Sequence, residues 1–339
     1  MFSLIINYDK TSTCYSHFFE MFELLVVQTN SKFINLKYLE KNEDNLEQYY
    51  LNTFGSIPKY IISFCGVGGF LNIYKKIIIY SKLVFIIDDI HHAKSVRNPR
   101  IPVISNSHLI FATYAYEFIR WGLPQPSKLY LYPHAARWII DFNNNPINKI
   151  LISGRISDIY SDRKFIYDIG IKNPDQYDIL KVNMNYKDSN INSNTITGIK
   201  FYEYLNKYLC CFLDTAREYI LAQVFEICAS GSLLLYMNNE ILDICEQIGF
   251  IDGINYISCT RENLQEKVNW ILDPINLELV NKIRYQGYKL IKEKHTWNNR
   301  FDEILFLLGY DDLNKKSFTH YKLNDQKTNT CYYLQDIKC

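Results

Sequence analysis

The sequence carries almost no surplus charge: 37 lysines and arginines stand against 36 aspartates and glutamates in 339 residues. A nucleic acid or an anionic membrane as main partner would call for a basic excess, so neither is expected. A local basic site stays open, because net charge does not report clustering. Paired cysteine motifs are also missing. The nine cysteines are scattered, with no Cys-x-x-Cys and no histidines at zinc-ligand spacing. Cys210 and Cys211 lie in an apolar run and read as buried thiols. No Asn-x-Ser/Thr acceptor occurs, no basic leader precedes a small-residue cleavage site, and no apolar run is long enough to span a bilayer. A terminal Cys339 excludes a prenylation box. These absences point to a reducing, soluble, cytoplasmic setting. No internal repeat is visible.

What is present suits two globular domains. The chain is 48% hydrophobic and 22% charged, and its length exceeds one ordinary domain. Ile, Asn, Lys, Tyr and Phe are used heavily, a bias of AT-rich coding DNA that fits a large DNA virus or an AT-rich microbe. Short apolar runs alternate with amphipathic stretches. Strands are expected at Ser3–Asn7, Leu24–Val27, Tyr60–Phe64, Leu83–Ile87, Val103–Ser105 and Leu129–Tyr132, with a helix in FLNIYKKIIIYSK. The polar DFNNNPIN, residues 141–148, reads as a linker. The pattern then restarts with strands in KILISG, YDILKV, YLCCFLD and Leu233–Tyr236. Helices follow at 276–294 and from Trp297 to Leu308, the second ending at Gly309. Strands alternating with helices imply an α/β protein with mainly parallel sheets covered on both faces.

The stretch EYILAQVFEICASGSLLLY, residues 218–236, holds the densest chemistry. It reads as a strand end bearing Glu218, a short helix bearing Glu226, a Ser230-Gly231 turn that a small residue makes cheaply, and a buried strand. Open α/β sheets bind ligands at the carboxyl ends of their strands, so the two carboxylates are placed to accept hydrogen bonds from one polyhydroxyl ligand. A glutamate that merely solubilises a helix is the plainer alternative. In the first half, FCGVGGF joins a strand to a helix, with glycines at the wrong spacing for a full dinucleotide fingerprint. VFIIDDIHH sets Asp88, Asp89, His91 and His92 just past a buried strand, where they could orient or deprotonate an acceptor hydroxyl. Metal binding by the Asp pair and a simple turn cap are the alternatives there. His134 in YPHAARW is either a cleft residue or a hydrogen-bonded structural histidine.

The segments LISGRISDIYSDR, FEICASGSLLL and HTWNNRFDEIL occur in an order that resembles GT-B glycosyltransferases of the family 1 and 4 type, with the nearest likeness to the CgeB-like (spore protein) branch. The resemblance runs from about Lys149 to Leu308, and more weakly through KYIISFCG to KLVFIIDD. It implies two Rossmann-like domains with parallel sheets facing a cleft and a C-terminal helix crossing back. The domains would be an acceptor-binding 1–145, a donor-binding 146–295, a crossover helix 296–310 and a polar extension 311–339. It further implies a metal-independent, retaining hexosyltransferase-like enzyme, with a UDP- or GDP-sugar as donor, a glycan or glycoprotein as acceptor and no tightly bound cofactor. Glu226 would bind the ribose and Glu218 the donor sugar, with Gly154, Ser230 and Gly231 shaping the site. Arg163, then Arg155 and Arg217, would meet the diphosphate. Asp89, His91 and His92 would act on the acceptor. The chain departs from the family at Gln223, where many relatives have arginine, and at Tyr219-Ile220-Leu221, where family 4 has Gly-Phe-Gly. A catalytically inactive GT-B binding protein and a nucleotide-sugar epimerase are the rival readings.

Overall fold

A computed structural model of the chain describes residues 3–6, 16–64, 71–88, 101–114, 129–154, 156, 158, 160–181, 196–214, 220–237 and 242–309. The chain divides into two compact units, Met1–Pro133 with Phe301–Cys339, and His134–Arg300. The 141–148 segment therefore lies within the second unit.

The first unit holds a six-stranded parallel sheet in the order β2-β1-β3-β4-β5-β6. Its strands are β1 (Ser3–Ile6), β2 (Lys32–Phe33), β3 (Tyr60–Phe64), β4 (Lys82–Ile87), β5 (Leu109–Ala112) and β6 (Leu129–Leu131). Helices α1 (Ser16–Gln28), α2 (Leu36–Lys41), α3 (Leu46–Phe54), α4 (Leu71–Tyr80) and α5 (Ile101–Asn106) occupy the connections. Strand β3 is buried at every residue, as parallel strands covered on both faces must be. One face packs Ile61, Leu83 and Phe85 against Ile73 and Ile77 of α4 and Leu39 of α2. On the other, Phe22 of α1 meets Phe64 edge-on at 6.1 Å between ring centroids.

Two expected strands are corrected here. Leu24–Val27 belongs to α1, whose apolar residues Met21, Phe22 and Leu25 recur at helical spacing and are buried. Val103–Ser105 lies in α5, a short helix that carries Pro102 in its first turn, where proline costs no hydrogen bond. The strand of this region is the fully buried Leu109–Ala112 instead.

The second unit holds a five-stranded parallel sheet, β11-β10-β9-β7-β8. It is built from β7 (Ile147–Gly154), β8 (Tyr177–Lys181), β9 (Tyr208–Asp214), β10 (Leu233–Met237) and β11 (Ile257–Ser258). Its helices are α6 (Ser161–Lys172), α7 (Ile199–Leu205), α8 (Ala222–Ala229), α9 (Leu242–Gln247), α10 (Leu264–Leu272), α11 (Leu277–Lys294) and α12 (Trp297–Leu307), which runs past the unit's end. All seven residues of β9 are buried, Cys210 and Cys211 among them. Ile150, Ile152, Phe212 and Leu235 pack on Ile166 of α6, Val268 of α10 and Val280 of α11.

His295-Thr296-Trp297 is architecture. The His295 ring is fully buried, donating from Nε2 to the Ile248 carbonyl (2.8 Å) and accepting at Nδ1 from Arg300 (2.8 Å). Burial, reinforced by Arg300, pushes its pKa well below the usual histidine value, so the ring stays neutral. Thr296 and Asn299 exchange side-chain-to-backbone bonds at 3.3 and 2.9 Å, a reciprocal cap that starts α12. Gly309 follows the helix with φ +74°.

Candidate active site

In the second unit β7 lies between β9 and β8. The chain leaves β7 for β8 on one side and later fills the other side with β9. Such a reversal opens a crevice outside the carboxyl ends of the two diverging strands, where open α/β sheets take ligands. Here those ends are Ser153-Gly154 of β7 and Asp214 of β9, and α8 is the helix that follows β9.

Three features gather at this end. Gln223, in the first turn of α8, donates from Nε2 to Ser153 Oγ at 2.7 Å, tying the helix to β7. Among the described residues no side chain caps α8 at Leu221, and the positive end of the helix dipole lies at this turn. One turn further, Glu226 is half-buried. Among the described residues its carboxylate has no hydrogen-bonding or ion-pair partner, and desolvation pushes its pKa from 4.5 to about 7. Burying a carboxylate without a partner costs stability. Helix α7 packs against α8 and brings Tyr202 near this carboxylate. The Tyr202 phenol is pushed up first by burial and then by the Glu226 charge; it accepts the Arg137 N–H at 3.2 Å, and its ring meets Trp138 edge-on.

Arg163, expected to meet the diphosphate, is committed elsewhere. It is 3% exposed and pairs with the wholly buried Asp214, its Nε lying 2.7 Å from Oδ1. Its backbone N–H donates to Oδ2 at 2.9 Å, and Nη2 reaches the Asp214 carbonyl at 3.3 Å. Burial raises the Asp214 carboxyl against the lowering effect of Arg163.

Ser230 and Gly231 stand at the far end of α8, away from the crevice. They form a Schellman turn, with Gly231 N–H on the Cys228 carbonyl (3.0 Å) and Ser232 N–H on that of Ile227 (3.3 Å). Gly231 has φ +75°, and Ser230 Oγ is held by the Ile227 carbonyl at 2.7 Å. Both are structural where they stand. Arg284, which no local sequence pattern singles out, braces this turn by donating to the carbonyls of Gly231 and Asn143, each at 3.1 Å.

Arg155, Arg217 and Glu218 lie outside the described residues, as do Asp89, His91 and His92. In the first unit, Asp88 at the end of β4 is buried and accepts a hydrogen bond from Thr113 Oγ1 at 2.7 Å. FCGVGGF begins at Phe64, where β3 ends, and its residues 65–70 lie outside the described set. His134 is buried, and its carbonyl accepts from Arg300 Nη2 at 3.3 Å. Among the described residues no cluster of three or more His, Cys, Asp or Glu side chains is placed to hold a metal, and no helix is long and apolar enough to cross a membrane.

No protein-family profile and no curated protein sequence matches the chain. Solved structures match its fold. Sucrose-phosphate synthase of Thermosynechococcus elongatus aligns over 91% of this chain and 98% of its own, with a TM-score of 0.57 at 8% identity. Anabaena HepE, solved in complex with UDP-glucose, aligns over 91% and 100%, with a TM-score of 0.54 at 11% identity. Against the longer chain of a GtfA/B complex the match covers 78% of this chain but only 60% of that one, with a TM-score of 0.53 at 10% identity. The two parallel-sheet units thus have the GT-B glycosyltransferase fold, as the sequence resemblance implies.

Proposed function

We propose that this chain is a glycosyltransferase that moves a sugar from a nucleoside-diphosphate donor to a hydroxyl acceptor. The observation that carries the reading is Glu226: a half-buried carboxylate without a partner among the described residues, one turn into the helix that follows β9 at the strand-order reversal. A ribose diol supplies the two hydroxyl donors such a group lacks. The uncapped start of α8 favours an anion, and Arg155 and Arg217, which follow Gly154 and Asp214 in sequence, are the cations assigned to the diphosphate. In the transfer, the bond from the sugar's anomeric carbon to the diphosphate breaks. The nucleoside diphosphate leaves with the electron pair, the acceptor oxygen forms the new bond, and its proton passes to a base.

The finer assignments belong to the same reading. Asp89, His91 and His92 serve the acceptor hydroxyl of a glycan or glycoprotein, and Glu218 faces the donor sugar. Transfer is retaining and needs no metal. UDP is favoured over GDP by the likeness to a UDP-glucose-bound fold neighbour. The CgeB-like branch, a viral source and a cytoplasmic location complete it. Gln223 supports one rival: it stands where many relatives carry arginine, and its amide is spent on Ser153, which suits a GT-B protein that binds nucleotide without transfer.

The test is a thermal-shift and calorimetric panel of UDP-, GDP-, TDP- and CMP-sugars on wild type and Glu226→Ala. A base-specific shift that Glu226→Ala abolishes is expected. Silence from folded wild type across the panel overturns the donor reading, and binding without transfer to any acceptor favours the rival.

A further inference from the structure

The Arg163–Asp214 pair needs an account of its own, because it consumes the cation that the sequence offers the diphosphate. Resting on the nucleotide-sugar reading, we propose that Arg163 and Asp214 are positioning residues of the diphosphate site: they fix the two strand ends that frame it and do not touch the ligand.

The geometry for this is local and specific. Arg163 directs three donors at Asp214, to both carboxylate oxygens and to the carbonyl, at 2.7 to 3.3 Å. The same guanidinium lies against the turn at Gly154, where a Cβ would stand 2.5 Å from Nη1, and over the Tyr160 ring at 4.5 Å. One side chain therefore joins the end of β7, the start of α6 and the end of β9. These are the two strands whose divergence opens the crevice. Each tied end runs in sequence straight toward another arginine, Arg155 after Gly154 and Arg217 after Asp214.

Energetics argue the same way. A buried ion pair is a weak stabiliser compared with apolar residues of the same volume, so geometric definition is the better account of its presence. Arg163 cannot turn to an incoming anion without leaving the Asp214 carboxylate buried and uncompensated, so it stays where it is. The guanidinium reaches Oδ1 through Nε and the Asp214 carbonyl through Nη2 at once, a fixed planar pair of donors that lysine cannot supply.

The test is calorimetric titration of UDP and of UMP into wild type, Asp214→Asn and Arg163→Lys, with thermal unfolding of each. A positioning pair predicts that both variants lose about tenfold in UDP affinity and less than about twofold in UMP affinity, because the damage falls on the diphosphate. If Arg163 is itself a ligand, Asp214→Asn releases it, and UDP binds as tightly or more tightly; that result overturns the proposal. Equal losses for UDP and UMP, or a lower Tm with both affinities intact, reduce the pair to a structural role and also overturn it. Should Asp214→Asn fail to fold, Asp214→Ser, which likewise frees Arg163, replaces it on the same criteria. If wild type binds neither UDP nor UMP while GDP and GMP bind, the guanine pair replaces them as probes. Wild type that binds none of the four refutes the nucleotide-sugar reading itself, and the proposal with it.

Discussion

Replacing Glu226 with glutamine is predicted to make the protein more stable at neutral pH and worse at binding its ligand. The carboxyl is half-buried, has no partner among the described residues and is pushed from 4.5 to about 7. Between those values the folded chain binds more protons than the unfolded chain, so stability falls as pH rises through the window. At about 1.4 kcal/mol per pH unit, keeping this group ionised at pH 8 costs on the order of 3 kcal/mol. Glu226→Gln removes that cost while preserving shape. Urea unfolding should therefore show little difference from wild type at about pH 4.5 and a gain for Glu226→Gln that grows to roughly 1–3 kcal/mol at pH 8. Ligand binding should run the opposite way. UDP-glucose is the suitable probe, because its diphosphate diester has no group that titrates near neutrality. From about pH 8 to about pH 5.5 the ionised fraction of Glu226 falls from about nine-tenths to about 3%, so wild-type affinity should drop by up to about 30-fold. Glu226→Gln should bind weakly and without that pH dependence. A variant no more stable than wild type at pH 8, or a wild-type affinity flat with pH, refutes the reasoning.

Three further predictions concern the scaffold. Gly154→Ala places a Cβ at φ +107° and 2.5 Å from Arg163 Nη1, so a loss of about 1–3 kcal/mol is expected in thermal unfolding. His295 is buried between the Ile248 carbonyl and Arg300; its imidazole should remain unprotonated by NMR at about pH 6.5, where an ordinary histidine is half charged, and His295→Ala should cost about 2–4 kcal/mol. Cys210, Cys211, Cys228, Cys245 and Cys259 are buried, with Cys211 pushed up to about 12, so Ellman's reagent should label none of the five before unfolding.

Much of the second unit was legible because its strands are continuous apolar runs bounded by polar or glycine residues. KILISG, YLCCFLD and Leu233–Tyr236 needed no knowledge of their neighbours. The first unit was harder. The last turn of helix α1 carries, before Gln28, Leu-Leu-Val-Val, whose local preference is strand, and packing of Met21, Phe22 and Leu25 makes it helix. The same holds for Ile101 and Ile104 of α5, which pack in the core of the first unit. At the site, Glu226 could be singled out by spacing, since its helix and turn are local. The commitment of Arg163 could not, because its partner Asp214 is distant in sequence and meets it only once β7 and β9 are neighbours. Strand order also decides where the crevice opens, and no local pattern encodes strand order. Ser230 and Gly231 show a related limit: a Schellman turn and a ligand-binding turn use the same small residues, and only the helix direction separates them.

The most direct test of the central claim is where a bound donor protects the backbone. Hydrogen exchange should be followed with and without a saturating nucleotide-sugar chosen from the calorimetric panel. Slower exchange is expected at the carboxyl ends of β7 and β9 and in the first turn of α8. Protection absent there and confined to the six-stranded sheet of the first unit contradicts it.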